Sequence, residues 1–215
     1  MGITLSAAFM KQSALAKWIL SVLLMIAPPS KLAAQVPGET VEEMTARYEI
    51  TAQNMAEVIH ERGPIFRGAD GEYKTAATMI GIAKFESELA KDVAIGKRRG
   101  DHGKSWCYMQ IMIVGKKNIW GDDEMKTWTG QDLVDDWKKC FAVGYEIIKY
   151  SVRSCWNYKN GDILSGYTTG KCKQNEKKAR HRWNYAQWIL RAHPAPAAPT
   201  LEILPAAPDE QTTLL

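Results

Sequence analysis

Apolar and polar positions recur with helical spacing over most of the chain. Thr40 followed by Glu43 has the spacing of a capping box, and apolar residues then recur from Val41 to Glu61 until Arg62-Gly63-Pro64 stops them. The pattern predicts a first helix there and a second from about Tyr73 to Asp92, with Gly81 tolerated inside it. Gly96 to Gly103 is glycine-rich and basic and reads as a loop. The run WCYMQIMIV that follows is either a short strand or a buried helical turn. Thr129-Gly130-Gln131-Asp132 repeats the capping style and opens a helix through Leu133, Trp137, Phe141, Tyr145 and Ile148 toward Ser151, read as a plain core stripe. Asn160-Gly161-Asp162 marks a turn, a short helix ends near Gly170, and Gln174 to Arg191 forms a last basic helix. Nothing alternates as βαβ, which argues against a parallel-sheet enzyme. The expected fold is mainly α: a single helical domain with a small loop and strand region.

The two ends stand apart from this pattern. Lys11 and Lys17 precede or open the apolar run Trp18 to Ala27, followed by Pro28, Pro29, Ala33 and Ala34, which is the layout of a secretory signal peptide over residues 1–34. An uncleaved N-terminal anchor is the alternative, although the run is shorter than the roughly 20 apolar residues of a transmembrane helix. After the last helix, HPAPAAPTLEILPAAPDEQTTLL is rich in Pro and Ala and reads as an extended tail over 193–215. The folded domain is expected over 35–192.

Length and composition agree with one domain: 215 residues, 46% apolar and 24% charged, with no repeat. Three of the 28 basic residues (Lys11, Lys17, Lys31) lie in the first 34, with none of the 24 acidic ones, so the remainder holds 25 basic against 24 acidic residues. Three of those acids (Glu202, Asp209, Glu210) are in the tail, which leaves a modestly basic core. Such a core suits a polyanionic partner such as a bacterial wall, and a scatter of solvated lysines accounts for it equally well. No nucleic-acid-binding module is recognisable.

Cys107, Cys140, Cys155 and Cys172 form an even set in a chain with export features, which favours two disulfides. Three pairings are possible from the residues alone. A zinc site competes poorly, because no C-x-x-C or Cys-His spacing is present. No metal and no cofactor is expected.

Candidate chemistry begins with Glu86 and Glu88. At about 100° per residue, Met79, Ile82, Ala83, Leu89, Ala90 and Val93 fall within about 60° of Glu86, which centres it on an apolar face. Glu88 lands about 160° away, beside Lys84 and Lys91, as a solvated charge. Burial disfavours the charged form of a carboxylate and lets it hold a proton near neutrality, which a general acid requires. The plainer reading is a buried glutamate satisfied by an arginine or by backbone amides.

Glu86-Ser87 on a helix, a glycine-rich loop, then Gly103-x-Ser105-x-x-x-Met109-Gln110-Ile111, and later Tyr167-x-x-Gly170, together resemble the soluble lytic transglycosylase (SLT) domain of the lysozyme-like superfamily. The similarity covers about residues 73–191. WTGQDLVDDWKKCF and GYTTGKC resemble a cysteine-containing branch of these domains, and with that resemblance goes an expected pairing of Cys107 with Cys140 and Cys155 with Cys172. Two departures stand out: the family usually has glycine where Cys107 stands, and asparagine where Thr168 follows Tyr167.

The resemblance implies an α+β lysozyme-like fold whose loop and strands flank a cleft, acting on the glycan strands of peptidoglycan. Glu86 would be the sole acid and base, and Ser105, Gln110, Tyr167, Asp101 and Met109 the substrate-binding set. Trp106 and Tyr108 could stack on sugar, with core packing an equal reading. A hydrolytic lysozyme pairing Glu86 with Asp101 and a non-catalytic wall-binding or virion module are the alternatives. In the latter the basic last helix, with Lys173, Lys177, Lys178, Arg180 and Arg182, would bind the wall. A monomer, periplasmic or secreted, touching membrane only through its N-terminus, completes the expectation.

Overall fold

Helix-forming stretches with well-made ends organise the chain. The computed structural model describes residues 13–32, 38–115, 117–157, 162–173 and 176–196. They form α1 (Ala14–Ile26), α2 (Pro29–Leu32), α3 (Val41–Arg62), α4 (Gly71–Ser87), α5 (Lys91–Ala94), β1 (Ser105–Trp106), β2 (Ile111–Met112), α6 (Gly130–Asp135), α7 (Trp137–Ser154), α8 (Ser165–Thr169) and α9 (Glu176–Ala192). The fold is mainly helical, and among the described residues its small sheet is the antiparallel pair β1–β2, in the register Ser105 to Met112 and Trp106 to Ile111.

The caps read from the sequence are made. At α3 the Thr40 side chain accepts from the Glu43 amide and the Glu43 carboxylate accepts from the Thr40 amide, while Gly63 ends the helix at φ 76°. At α6 the Thr129–Asp132 box forms in the same way.

Two helices are shorter than their periodicity implies. The second expected helix stops at Ser87, because Glu88 and Leu89 both adopt left-handed φ, 55° and 59°. Ser87 Oγ donates to the Ala83 carbonyl and accepts from the Leu89 amide, which stabilises that turn. Leu89 and Val93 remain buried, but beyond the break. The helix expected from Thr129 to Ser151 breaks at Asp136, whose extended backbone ends α6 and whose carboxylate caps α7 through the Lys138 amide. Apolar periodicity continues across both breaks, so pattern alone joins the pieces. Asn160, Gly161, Gln174 and the tail beyond residue 196 lie outside the described residues.

The core is a layer of α3 and α4 against α7 and α9, centred on Tyr48, Met55, Ile59, Met79, Ile80, Phe141 and Tyr145. Gly81 is the close-approach point of α4 and α9: a Cβ there would lie 3.4 Å from the Arg182 carbonyl oxygen. Both disulfides are formed, Cys107–Cys140 tying the loop between β1 and β2 to α7, and Cys155–Cys172 tying the end of α7 to the segment after α8.

The apolar N-terminal segment forms α1 and lies on α3 and α4, burying Leu15, Ala16, Trp18, Ile19, Val22 and Leu23. The Trp18 indole donates to the carbonyls of His193 and Pro194, and Ser21 Oγ is 2.6 Å from His193 Nε2. Ala14–Leu32 is also apolar and long enough to cross a membrane. Such a helix together with two disulfides is compatible with an exported protein.

Candidate active site

Glu86 sits in the last turn of α4, facing α9. Its side chain is 20% exposed, and its Oε1 accepts from Arg182 Nη2 at 2.6 Å and Nε at 3.1 Å. The arginine partner belongs to the plainer of the two readings of Glu86: the apolar stripe of α4 packs on α9, and α9 supplies an arginine at the point where the glutamate emerges. Oε2 has no hydrogen-bond partner among the described residues. Glu88 is exposed in its left-handed turn, while Lys91 reaches Glu43 and the Gly38 carbonyl rather than Glu88.

The glycine-rich loop is shaped by two polar side chains that sequence reasoning assigned to substrate. Ser105 is buried and donates to the Asp101 carboxylate at 2.5 Å. Gln110 Oε1 accepts from the Gly100 amide at 2.9 Å while its Nε2 donates to the Cys107 carbonyl at 3.1 Å. A Cβ on Gly100 would collide with that Oε1, so a larger residue there would displace the Gln110 amide from the loop. Asp101, His102 and Gly103 then take successive left-handed φ values of 49°, 55° and 88°, which turns the loop back into β1. Ser105 acts behind the surface, whereas Asp101 and Gln110 both line the cleft.

Met109 is corrected as a substrate contact. Its side chain is fully buried and fills the space that glycine leaves at Gly144. Its carbonyl oxygen does serve the site, accepting the Tyr167 hydroxyl at 2.5 Å. Cys107 adopts φ 57°, a conformation natural to glycine, and the bond to Cys140 holds it there. Trp106 packs over Gly130 with the Arg99 guanidinium 4.2 Å above its ring, and Tyr108 is buried against Trp137 and Phe141. Both are packing residues rather than sugar platforms.

Tyr167 enters from α8. Ser151 on α7 accepts from the Tyr167 amide and donates to the Ile163 carbonyl, and no Cβ fits at Gly166 beside it. Burial first, and then the charge of Glu86, hold the Tyr167 phenol well above its ordinary range, against a smaller opposing effect of Arg182. It is a neutral donor under all physiological conditions.

These residues converge on a cleft of about 470 Å³. Glu86, Asp101, Gln110, Tyr167, Thr168 and Thr169 line it, together with Lys178 and Arg182 from α9. An apolar wall of Met112, Val114, Ile119 and Trp120 completes it. Met112, Val114 and Ile119 are exposed, and Trp120 is half-buried against Tyr150. Sequence reasoning missed this wall, and it placed Arg182 in a wall-binding basic helix rather than beside Glu86. The available signal was the apolar run continuing past the strand pair, where β-strand burial no longer explains it. Arg180 pairs with Asp162, so the basic face of α9 is divided between structure and cleft.

All four cysteines are bridged, and among the described residues no group of three or more His, Cys, Asp and Glu could hold a metal ion. Comparison with protein-family models, curated proteins and solved structures finds no match to the chain.

Proposed function

We propose that the protein is a peptidoglycan lytic transglycosylase of SLT type, cleaving the β-1,4 bond between N-acetylmuramic acid and N-acetylglucosamine with Glu86 as its one acid and base. The observation that supports this is the convergence of Glu86, Gln110 and Tyr167 on one cleft from three separate elements. Neutral donors and acceptors (Gln110, Thr168, Tyr167) beside the Trp120 ring are chemistry suited to a sugar.

Arg182 occupies only Oε1 of Glu86, so Oε2 is the oxygen available to carry the proton. Glu86 donates that proton to the glycosidic oxygen as the bond to the muramyl C1 breaks. The muramyl 6-hydroxyl then attacks C1, and its proton returns to Glu86 as the 1,6-anhydro ring closes. Positive charge developing at C1 meets the Glu86 carboxylate, which Arg182 holds in place. Wall substrate outside the cell membrane, in the periplasm or beyond, accords with the apolar N-terminal helix and the disulfides.

Asp101 lines the same cleft, which keeps a hydrolytic reading in view. Its carboxylate already accepts from Ser105, which favours a positioning role. Mass spectrometry of products from purified peptidoglycan separates the two: anhydromuramyl ends support the transglycosylase, and reducing ends, heavier by one water, refute it. Unchanged wall clearing by Glu86→Gln would refute the catalytic assignment itself.

A further inference from the structure

We propose that the outward face of α9, with Phe85 of α4 beside it, rests on an anionic lipid bilayer, so that the protein meets a membrane through its folded body as well as its N-terminal segment. Helical spacing builds the face. At about 100° per residue, Lys177, His181, Asn184, Trp188 and Arg191 fall within an arc of about 80°, and all five are exposed. None of them lines the cleft, and Arg182, which holds Glu86, lies about 120° round the helix from Trp188. The stripe can therefore be covered without covering the cleft.

Aromatic rings run along it. Centroids are 4.7 Å apart for Phe85 and His181, 5.3 Å for Phe85 and Tyr185, and 5.2 Å for Tyr185 and Trp188. Trp188 is 41% exposed and Phe85 37%. The buried side of α9 is made instead by the small or branched Ala179, Ala186 and Ile189, which leaves the larger rings turned outward. Indole and phenol rings, apolar in body with one polar tip, favour the level of lipid headgroups.

Charge selects an anionic surface. Lys177 and Arg191 stand at opposite ends of the stripe, about 21 Å apart along the axis, and neither has an ion-pair partner among the described residues. No Asp or Glu occurs from Lys177 to Ala192. The C-terminal end of the face is also tied to a helix suited to lipid: the Trp18 indole of α1 donates to the carbonyls of His193 and Pro194, just beyond Arg191, and Ala14–Leu32 is apolar and long enough to cross a bilayer. That apolar helix decides between the two polyanions a basic face could meet, since it belongs with lipid and not with a glycan wall.

The full-length protein, sedimented with vesicles of phosphatidylcholine alone and with vesicles also containing phosphatidylglycerol, provides the test. The wild type should bind the anionic vesicles more tightly. The double variant Lys177→Gln with Arg191→Gln should lose about 25-fold in affinity for them, about fivefold per basic residue, and nothing on neutral vesicles. Brominated lipid should quench a part of the tryptophan emission that Trp188→Phe removes. The substituted positions are exposed, so the variants keep the fold, as circular dichroism would verify. Equal affinity for the two vesicles, no loss in the double variant, or quenching undiminished in Trp188→Phe would overturn the proposal. So would retention on purified wall material that the double variant loses while neither protein binds vesicles, which would assign the face to the wall. Neither readout involves catalysis, so the outcome is independent of the glycan-cleaving reading.

Discussion

Replacing Arg47 with methionine removes the centre of a buried polar network lying directly behind the site. The Arg47 side chain is 6% exposed and that of Glu39 1%. Two parallel bonds of 2.7 and 2.8 Å join them, and Nη1 donates to the Leu89 carbonyl at 2.7 Å and to the Tyr108 hydroxyl at 2.6 Å. Leu89 lies in the turn that ends α4 after Glu86, and Tyr108 in the loop between β1 and β2. Burial works against the arginine's charge, but the bonds to Glu39 and Tyr108 more than offset it, so it stays a guanidinium. Losing one partner of a buried pair costs about 3–5 kcal/mol, and the stranded Leu89 carbonyl adds about 1 kcal/mol. A loss of about 5 kcal/mol corresponds to a fall of roughly 10–20 °C in Tm for a chain of this size. Urea unfolding should show a lower midpoint at constant slope. The double variant Glu39→Leu with Arg47→Met should recover most of the loss, since it buries no unpaired charge. A single-variant loss below about 1 kcal/mol, or a double variant no more stable than the single, would refute the reasoning.

Other expectations are as direct. Opening Cys107–Cys140 by a double serine substitution should cost about 3.7 kcal/mol, against about 3.1 kcal/mol for Cys155–Cys172, from the 33- and 17-residue separations; thermal melts of each variant check the order. Burial pushes the Tyr48 phenol up to about 12 and raises Tyr108 and Tyr167 as well. The folded state therefore holds these protons more tightly than the unfolded chain, and stability complete below about pH 10 should fall as pH rises beyond it. The tyrosinate absorbance of these three residues, isolated as the difference from their phenylalanine variants, should then appear together with loss of circular dichroism, and its appearance in folded protein would contradict this. Trp18→Ala should lower stability by about 3–5 kcal/mol wherever α1 remains attached, because its buried ring packs edge-on against Tyr73. An unchanged urea midpoint in intact chains would show that α1 does not dock.

Much of the fold was legible in local rules. Capping boxes at Thr40 and Thr129, the stop at Gly63 and the helical stripes of α3 and α7 are short-range features that tertiary packing does not override. The breaks at Ser87 and Asp136 were not legible, because a side-chain bond from Ser87 and a cap from Asp136 decide them while apolar periodicity runs on. In the site, Glu86, Gln110 and Tyr167 reach the cleft as their motifs imply. Ser105 and Met109 turn inward, since the same short motif must both shape the loop and fill the core. Arg182, almost a hundred residues beyond its partner, is joined to Glu86 only by the packing of α9 on α4 at Gly81.

The central claim is that Glu86, and not Glu88, is the acid that cyclises a muramyl residue. Mass spectrometry of peptidoglycan digested by the wild type, Glu86→Gln and Glu88→Gln tests it most directly. The account predicts 1,6-anhydromuramyl products from the wild type and from Glu88→Gln. It predicts a loss of at least about a hundredfold in Glu86→Gln, the usual scale for removing a general acid. Reducing-end products from the wild type, or anhydro products undiminished in Glu86→Gln, would contradict it.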